Sequence, residues 1–212
     1  MAKKSTDKTS PWASVKEIAA EFIGTFGLAF AVLASSKAAA GATQLMIVDP
    51  ESKNLISFSQ ALGVNTPVPI VATGAIAAFT LAMFVLTIGK ISGCNVNPAV
   101  TVGLWSSGKM KTHKAISYIL AQIAGAVGAF SLLSVFIAGQ KFSEFTVKGD
   151  WKLMVAEALG MLIFSFGIAN VVLNEKEGVE AALTVGGSLF LGIVFAGVVA
   201  GVIRRTSRGD PR

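Results

Sequence analysis

The chain has 212 residues, of which 53% are hydrophobic and only 14% charged, with a mean hydropathy of +0.67. Soluble domains carry about 25% charged residues, so the deficit excludes a disordered chain, a nucleic-acid binder and an ordinary cytosolic enzyme. The formal net charge of +6 sits in short tails and loops between long apolar runs, which reads as topological bias rather than as an acidic-partner surface. A single cysteine, Cys94, excludes an intrachain disulfide framework. The class is an integral membrane protein.

In chain order, a basic tail over 1–14 (Lys3, Lys4, Lys8) precedes Pro11 and Trp12 and leads into an apolar run over 15–36. That run holds Glu21 and exceeds the 7–15-residue apolar core of a signal peptide, so it reads as a first membrane span. A long connector from Lys37 to Pro67, with Asp49-Pro50 and Pro67-Val68-Pro69, leads to a second span over 68–89. A bilayer crossing needs about 20 apolar residues, and three further runs qualify: 114–138, 152–173 and 181–203. The third is rich in small residues (Ala124, Gly125, Ala126, Gly128) and so is the fifth (Gly186, Gly187, Gly192, Gly197). In lipid such residues mark close helix–helix contact.

The segment Gly89 to Trp105 is too apolar for an exposed loop and too short to span. Gly93 and Asn97-Pro98 break a helix continuing from the second span. Pro98 suits the first helical position, with Asn97 as N-cap, so a half-helix is expected over about 98–106. Its start would lie inside the membrane. Non-helical backbone survives there only if protein buries it or it lines a watery cavity, and the half-helix start presents unpaired N–H groups and roughly +0.5 charge. Pores and transporters build mid-membrane sites this way.

Orientation follows Lys and Arg in short loops. With the N-terminus inside, nine lysines are cytoplasmic, including Lys16, Lys90, Lys109, Lys111, Lys114 and Lys176; five lie outside. Arg204, Arg205, Arg208 and Arg212 then fall outside and erase the bias, at nine against nine.

Asn95-x-Asn97-Pro98-Ala99-Val100-Thr101-Val102-Gly103, led by Ile91-Ser92-Gly93, resembles the signature of the major intrinsic proteins, the aquaporins and aquaglyceroporins. Ala20-Glu21-Phe22-Ile23-Gly24-Thr25-Phe26 is similar to the family's first helix, and Ala121-Gln122-Ile123-Ala124-Gly125-Ala126 to its third. The resemblance covers about 15–203. It implies an all-α membrane protein, an aquaporin-like inverted-repeat helical bundle. The first repeat would take 15–111, completed by the span over 112–138, and the second 139–203, before a basic tail over 204–212.

An inverted repeat should echo itself. Glu21, three residues before Gly24, returns as Glu157 before Gly160. By resemblance, Glu21 and Glu157 brace re-entrant loops, and Gln122 packs inside the bundle. The rival reading of either glutamate is an interfacial residue snorkelling to water. Gly89-x-x-Ser92-Gly93 corresponds to Gly197-Val198-Val199-Ala200-Gly201 at an offset of 108, which places Arg205 where a second Asn-Pro-Ala should begin. The second box and its half-helix are missing, as is a sixth span. Three readings of this ending compete: a fragment or frameshifted product, a natural five-span form, or a chain completed by another. The arginines on the outer face favour the first.

The family's constriction positions, counted from the anchors, fall on Ala77, Ile193, Val202 and Arg208. Water-selective members carry an aromatic–histidine pair at the first two; this chain does not, and its one histidine is His113. A wide, less polar filter is expected, admitting glycerol and metalloid hydroxides as well as water. A register shifted by two would instead put Phe79 in the filter. Cys94 is either a small buried filler or a thiol beside the pore. Lys90 stands where the family often has histidine, so no pH role carries over. The resemblance further implies a homotetramer in the cell membrane, N-terminus cytoplasmic, passing water and small neutral solutes, with no cofactor, metal or nucleic acid. A second reading is a non-conducting structural or regulatory subunit that associates with full-length homologues. A secondary transporter also uses broken helices, but apart from Glu21 and Glu157 no acidic residue lies well inside a span.

Overall fold

The computed structural model describes residues 12–42, 46–48, 55–57, 68–136 and 151–208, with side chains described for 12–38, 70–136 and 151–200. Six helices and one two-stranded pair follow in order: α1 (Val15–Ala42), β1 (Met46–Val48), β2 (Leu55–Ser57), α2 (Val68–Ser92), α3 (Pro98–Ser106), α4 (Thr112–Phe136), α5 (Trp151–Leu173) and α6 (Gly178–Arg208). Five of these helices are long and apolar enough to cross a bilayer; α3, at nine residues, is not. The protein is a multi-pass, all-helical membrane bundle with one small antiparallel strand pair between α1 and α2, in which Ile47 faces Ile56.

The helices form a row in which α4 packs on α1, α1 on α2, α2 on α6 and α6 on α5, with α3 lodged against α4. Small residues set these seams, since lipid supplies no hydrophobic drive between helices and close backbone approach must. On α4, a Cβ at Gly125 would lie 2.6 Å from the Phe22 carbonyl oxygen of α1. On α6, one at Gly186 would lie 2.7 Å from the Ala78 carbonyl oxygen of α2, and Gly192 meets Gly160 of α5 equally closely. Gly187 differs: nothing lies within 4 Å of it, so it belongs to no seam. Along α2 and α6 the contacts run antiparallel, from Ile70–Gly197 to Ala82–Gly186. The α2 end, the α3 end and the α1, α4 and α6 starts therefore share one membrane face.

Two sequence expectations need correction at the helix ends. The second span runs on to Ser92, because Lys90 and Ile91 continue the helix to Gly93, where φ turns to +90°. The basic tail expected from 204 is backbone helix as far as Arg208. Residues 93–97 break out of the helix, whereas 201–205, their counterparts by the sequence echo, stay in it. Ile203-Arg204-Arg205-Thr206 supplies neither the proline nor the asparagine that terminates and restarts a helix.

Candidate pore site

The site is built where α2 stops. Gly93, Cys94 and Val96 have φ of +90°, +53° and +41°. Left-handed backbone costs a non-glycine residue about 1–2 kcal/mol, and more for a β-branched valine, so this loop must be held. Glu21, on α1 and fully buried, holds it. Its Oε1 accepts from the Ser92 hydroxyl at 2.6 Å and the Asn95 amide at 3.0 Å. Its Oε2 accepts from the Val96 amide at 2.7 Å and Gln122 Nε2 at 2.7 Å. Hydrogen bonds to a charged acceptor are each worth about 1.5–3 kcal/mol, enough together to offset both the strain and the burial of the carboxylate.

Around this carboxylate lies a buried polar network. The Thr101 hydroxyl donates to the Asn97 carbonyl at 3.1 Å and accepts from Gln122 Nε2 at 2.9 Å and Asn95 Nδ2 at 3.3 Å. Tyr118 donates its hydroxyl to the Ser92 carbonyl at 2.7 Å and lies below a Lys114–Glu17 ion pair at the membrane face. Glu21 and Gln122 are expected from the sequence; Ser92 and Thr101 stand in the motif without an assigned role, and Tyr118 enters only with the structure. Spacing could have flagged two of them: Thr101 is four residues after Asn97, and Tyr118 four before Gln122, each on one helix face.

Asn97 is the N-cap of α3, in extended conformation, with its Oδ1 accepting from the Ala99 amide at 2.8 Å and Pro98 at the first helical position. The half-helix thus starts within the bundle and ends at the membrane face. Beside it, a cavity of about 90 Å³ is lined by Gly93, Cys94 and Asn95, with apolar walls from Leu81, Phe164 and Val185. Cys94 is buried and lines this cavity.

The other expected positions fare differently. Glu157 is exposed on α5. Ala77 is fully buried, and Ile193 packs beside Gly74 in the seam of α2 and α6. Neither lines the cavities beside α3. Phe79 is 71% exposed. The side chains of Val202 and Arg208 lie outside the described residues. Among the described residues no group of His, Cys, Asp or Glu could hold a metal ion.

Residues 8–204 match the Major intrinsic protein family. Over 202 residues the chain is 33% identical to Aquaporin AqpM of Methanothermobacter thermautotrophicus, covering 89% of this chain and 74% of that one. It is 39% identical over 125 residues to Aquaporin Z of Bradyrhizobium diazoefficiens (59% and 43% covered). It is 31% identical over 193 residues to Aquaporin NIP1-4 of Oryza sativa subsp. japonica (89% and 62% covered). With that match spanning nearly the whole chain, including the Glu21-braced loop and the Asn97-capped half-helix, the chain belongs to the major intrinsic protein family.

Proposed function

We propose that this protein is a passive channel for water and small uncharged solutes, glycerol and metalloid hydroxides among them. It would sit in the cell membrane with its N-terminus cytoplasmic and assemble as a homotetramer, as the family likeness implies. The observation that carries the reading is the half-helix start, capped by Asn97 and backed by the Glu21 network. With Oδ1 engaged by Ala99, the Asn97 Nδ2 is the group that donates to a passing oxygen. The positive end of α3 opposes protons and cations. Apolar walls such as Leu81 and Phe164 make a permeant shed water except at the Gly93–Asn95 backbone. No substrate bond is made or broken, so the chain is a conduit and not an enzyme.

The wide filter rests on residue type: an alanine and an isoleucine at 77 and 193. In this reading Val202 and Arg208 belong to the outer mouth, and Glu157 braces a second loop wherever one is supplied. Residues 1–212 alone would conduct weakly, because one half-helix supplies only half of the field and of the pore wall that the family likeness implies. Stopped-flow swelling of proteoliposomes in glycerol and in sorbitol tests both statements. Weak flux is expected from these residues alone. Appending a relative's second Asn-Pro-Ala-Arg box and last helix should give glycerol flux well above sorbitol flux. Robust selective flux from residues 1–212 by themselves sinks the second statement, and no glycerol flux from the completed chain sinks the first. The second reading is a non-conducting subunit that packs with full-length homologues. Co-purification with such a homologue would support it.

A further inference from the structure

The polar network around Glu21 also fixes what the small cavity presents to a solute, because hydrogen-bond direction runs through it in one sense. A carboxylate only accepts, so Gln122 turns Nε2 toward Glu21, at 2.7 Å, and gives its second hydrogen to Thr101 Oγ1 at 2.9 Å. Thr101 has a single hydroxyl proton, directed to the Asn97 carbonyl at 3.1 Å or to Gln122 Oε1 at 3.3 Å. Toward Asn95 it can then only accept, and Asn95 meets it with Nδ2 at 3.3 Å. The Asn95 Oδ1 is thereby turned away from the network. It lies over Gly93, 3.7 Å from where a Cβ there would stand, and Gly93 and Asn95 both line the cavity of about 90 Å³. Asn95 is only 6% exposed. Yet among the described residues Thr25 Oγ1 is the one sealed side-chain oxygen or nitrogen without a partner. Asn95 Oδ1, to which no described group donates, is therefore open to the cavity.

We propose that Asn95 is a specificity-determining residue of the channel, its Oδ1 accepting from the O–H of a permeant, and that Gln122 and Thr101 are positioning residues that carry the polarity of Glu21 to it. The inference rests on the channel reading above. Walls such as Leu81, Phe164 and Val185 offer no hydrogen bond, so a solute at this depth bonds to the Gly93–Asn95 segment or stays unpaired. A water, a polyol or an undissociated hydroxide gives Oδ1 a proton. An ether of like size leaves it without one, and a site built to bond a hydroxyl rejects the analogue that lacks it. With the amide reversed, Nδ2 would face the cavity and the preference would invert.

Two measurements on the full 212-residue chain test this. Nuclear magnetic resonance of the chain in lipid, with isotope-labelled asparagine, follows exchange of the Asn95 Nδ2 protons with water. They should exchange about fivefold more slowly than in Thr101→Val, which removes their acceptor, the weight of one neutral hydrogen bond. Thr101→Ser, which keeps the hydroxyl, should restore slow exchange. In the second measurement mercuric ion reacts with Cys94 in the same cavity, read by intact mass, in the presence of glycerol or of the ether dioxolane. The glycerol concentration that halves this rate should rise about fivefold in Asn95→Leu, again one hydrogen bond, while that of dioxolane stays the same. Nδ2 exchange in the unaltered chain as fast as in Thr101→Val would overturn the proposal. So would the same half-protecting glycerol concentration with and without the Asn95 amide. The Thr101 pair decides the matter if Asn95→Leu does not fold. Absence of glycerol flux from the completed chain, with slow Nδ2 exchange retained, defeats the channel reading instead and leaves Asn95 a hydroxyl-binding group.

Discussion

At the residue scale the site turns on one buried carboxylate. Four donors converge on Glu21, two of them backbone amides of a left-handed loop. Glu21→Ala leaves the Asn95 and Val96 amides buried without that acceptor, at about 1–3 kcal/mol each. We expect it to lower the thermal midpoint of the detergent-solubilised protein far more than any surface change. Glu21→Gln should fall between, since its carbonyl still accepts while its NH₂ confronts donors. A midpoint for Glu21→Ala equal to that of the unaltered protein would show that the loop is held by other contacts. Val96 sets two effects against each other. Val96→Gly relieves left-handed strain of about 1–2 kcal/mol but loses the burial of a valine, about 1.5–3 kcal/mol. Burial should win by about 1 kcal/mol in the same measurement. Cys94 lines the small cavity, so mercuric ion should reach it while a bulky maleimide does not, as read by intact mass, and Cys94→Ser should remove the mercury adduct. The motif made Asn97, Pro98 and Ala99 legible in the sequence. Thr101, Ser92 and Tyr118 were not, because their importance lies in partners 21 to 26 residues away or on another helix.

At the element scale the spans were legible because each is a sustained apolar run, and their ends were less so. Hydropathy falls at Lys90 although the helix continues to Ser92, since helix ends are set by backbone geometry at Gly93 and not by polarity. The clustering of small residues pointed to tight seams without saying which residues lie in them. Gly125 and Gly187 make the contrast measurable. Gly125→Ala would place a Cβ 2.6 Å from a backbone oxygen, which cannot swing away, and should cost about 1–3 kcal/mol through separation of α1 and α4. Gly187→Ala meets open space and should be neutral or stabilising by up to about 1 kcal/mol from helix propensity. Unfolding of the two variants in mixed detergent micelles reads the difference, and equal effects would contradict the seam assignment. The inverted-repeat echo was a weaker guide. It pairs Glu157 with Glu21 and breaks off at Arg205, where the second Asn-Pro-Ala is lacking, and 201–205 are helical where 93–97 are not. Similar local sequence does not fix a re-entrant turn unless a partner group arrives to hold it.

For the whole molecule, orientation should follow the basic residues gathered at one face. A reporter fused at the N-terminus should be cytoplasmic and one inserted between α4 and α5 external. Replacing Lys109, Lys111 and Lys114 by glutamine together should mix the two orientations, because positive charge in short loops near span ends is what biases insertion. An unchanged single orientation would move the determinant elsewhere, to the basic stretch around Lys3, Lys4 and Lys8. The sequence by itself determined the membrane class, five spans, the broken helix at Asn97-Pro98 and the family, since each is written in local composition or contiguous spacing. Only the tertiary structure decided that Ala77 is fully buried, that Glu157 stands exposed, and that a small cavity lies between the Gly93–Asn95 loop and apolar walls from α2, α5 and α6. Those outcomes depend on which helix faces meet, and backbone approach through glycine in a solvent without a hydrophobic drive is a property of pairs of helices, which no single stretch of sequence records.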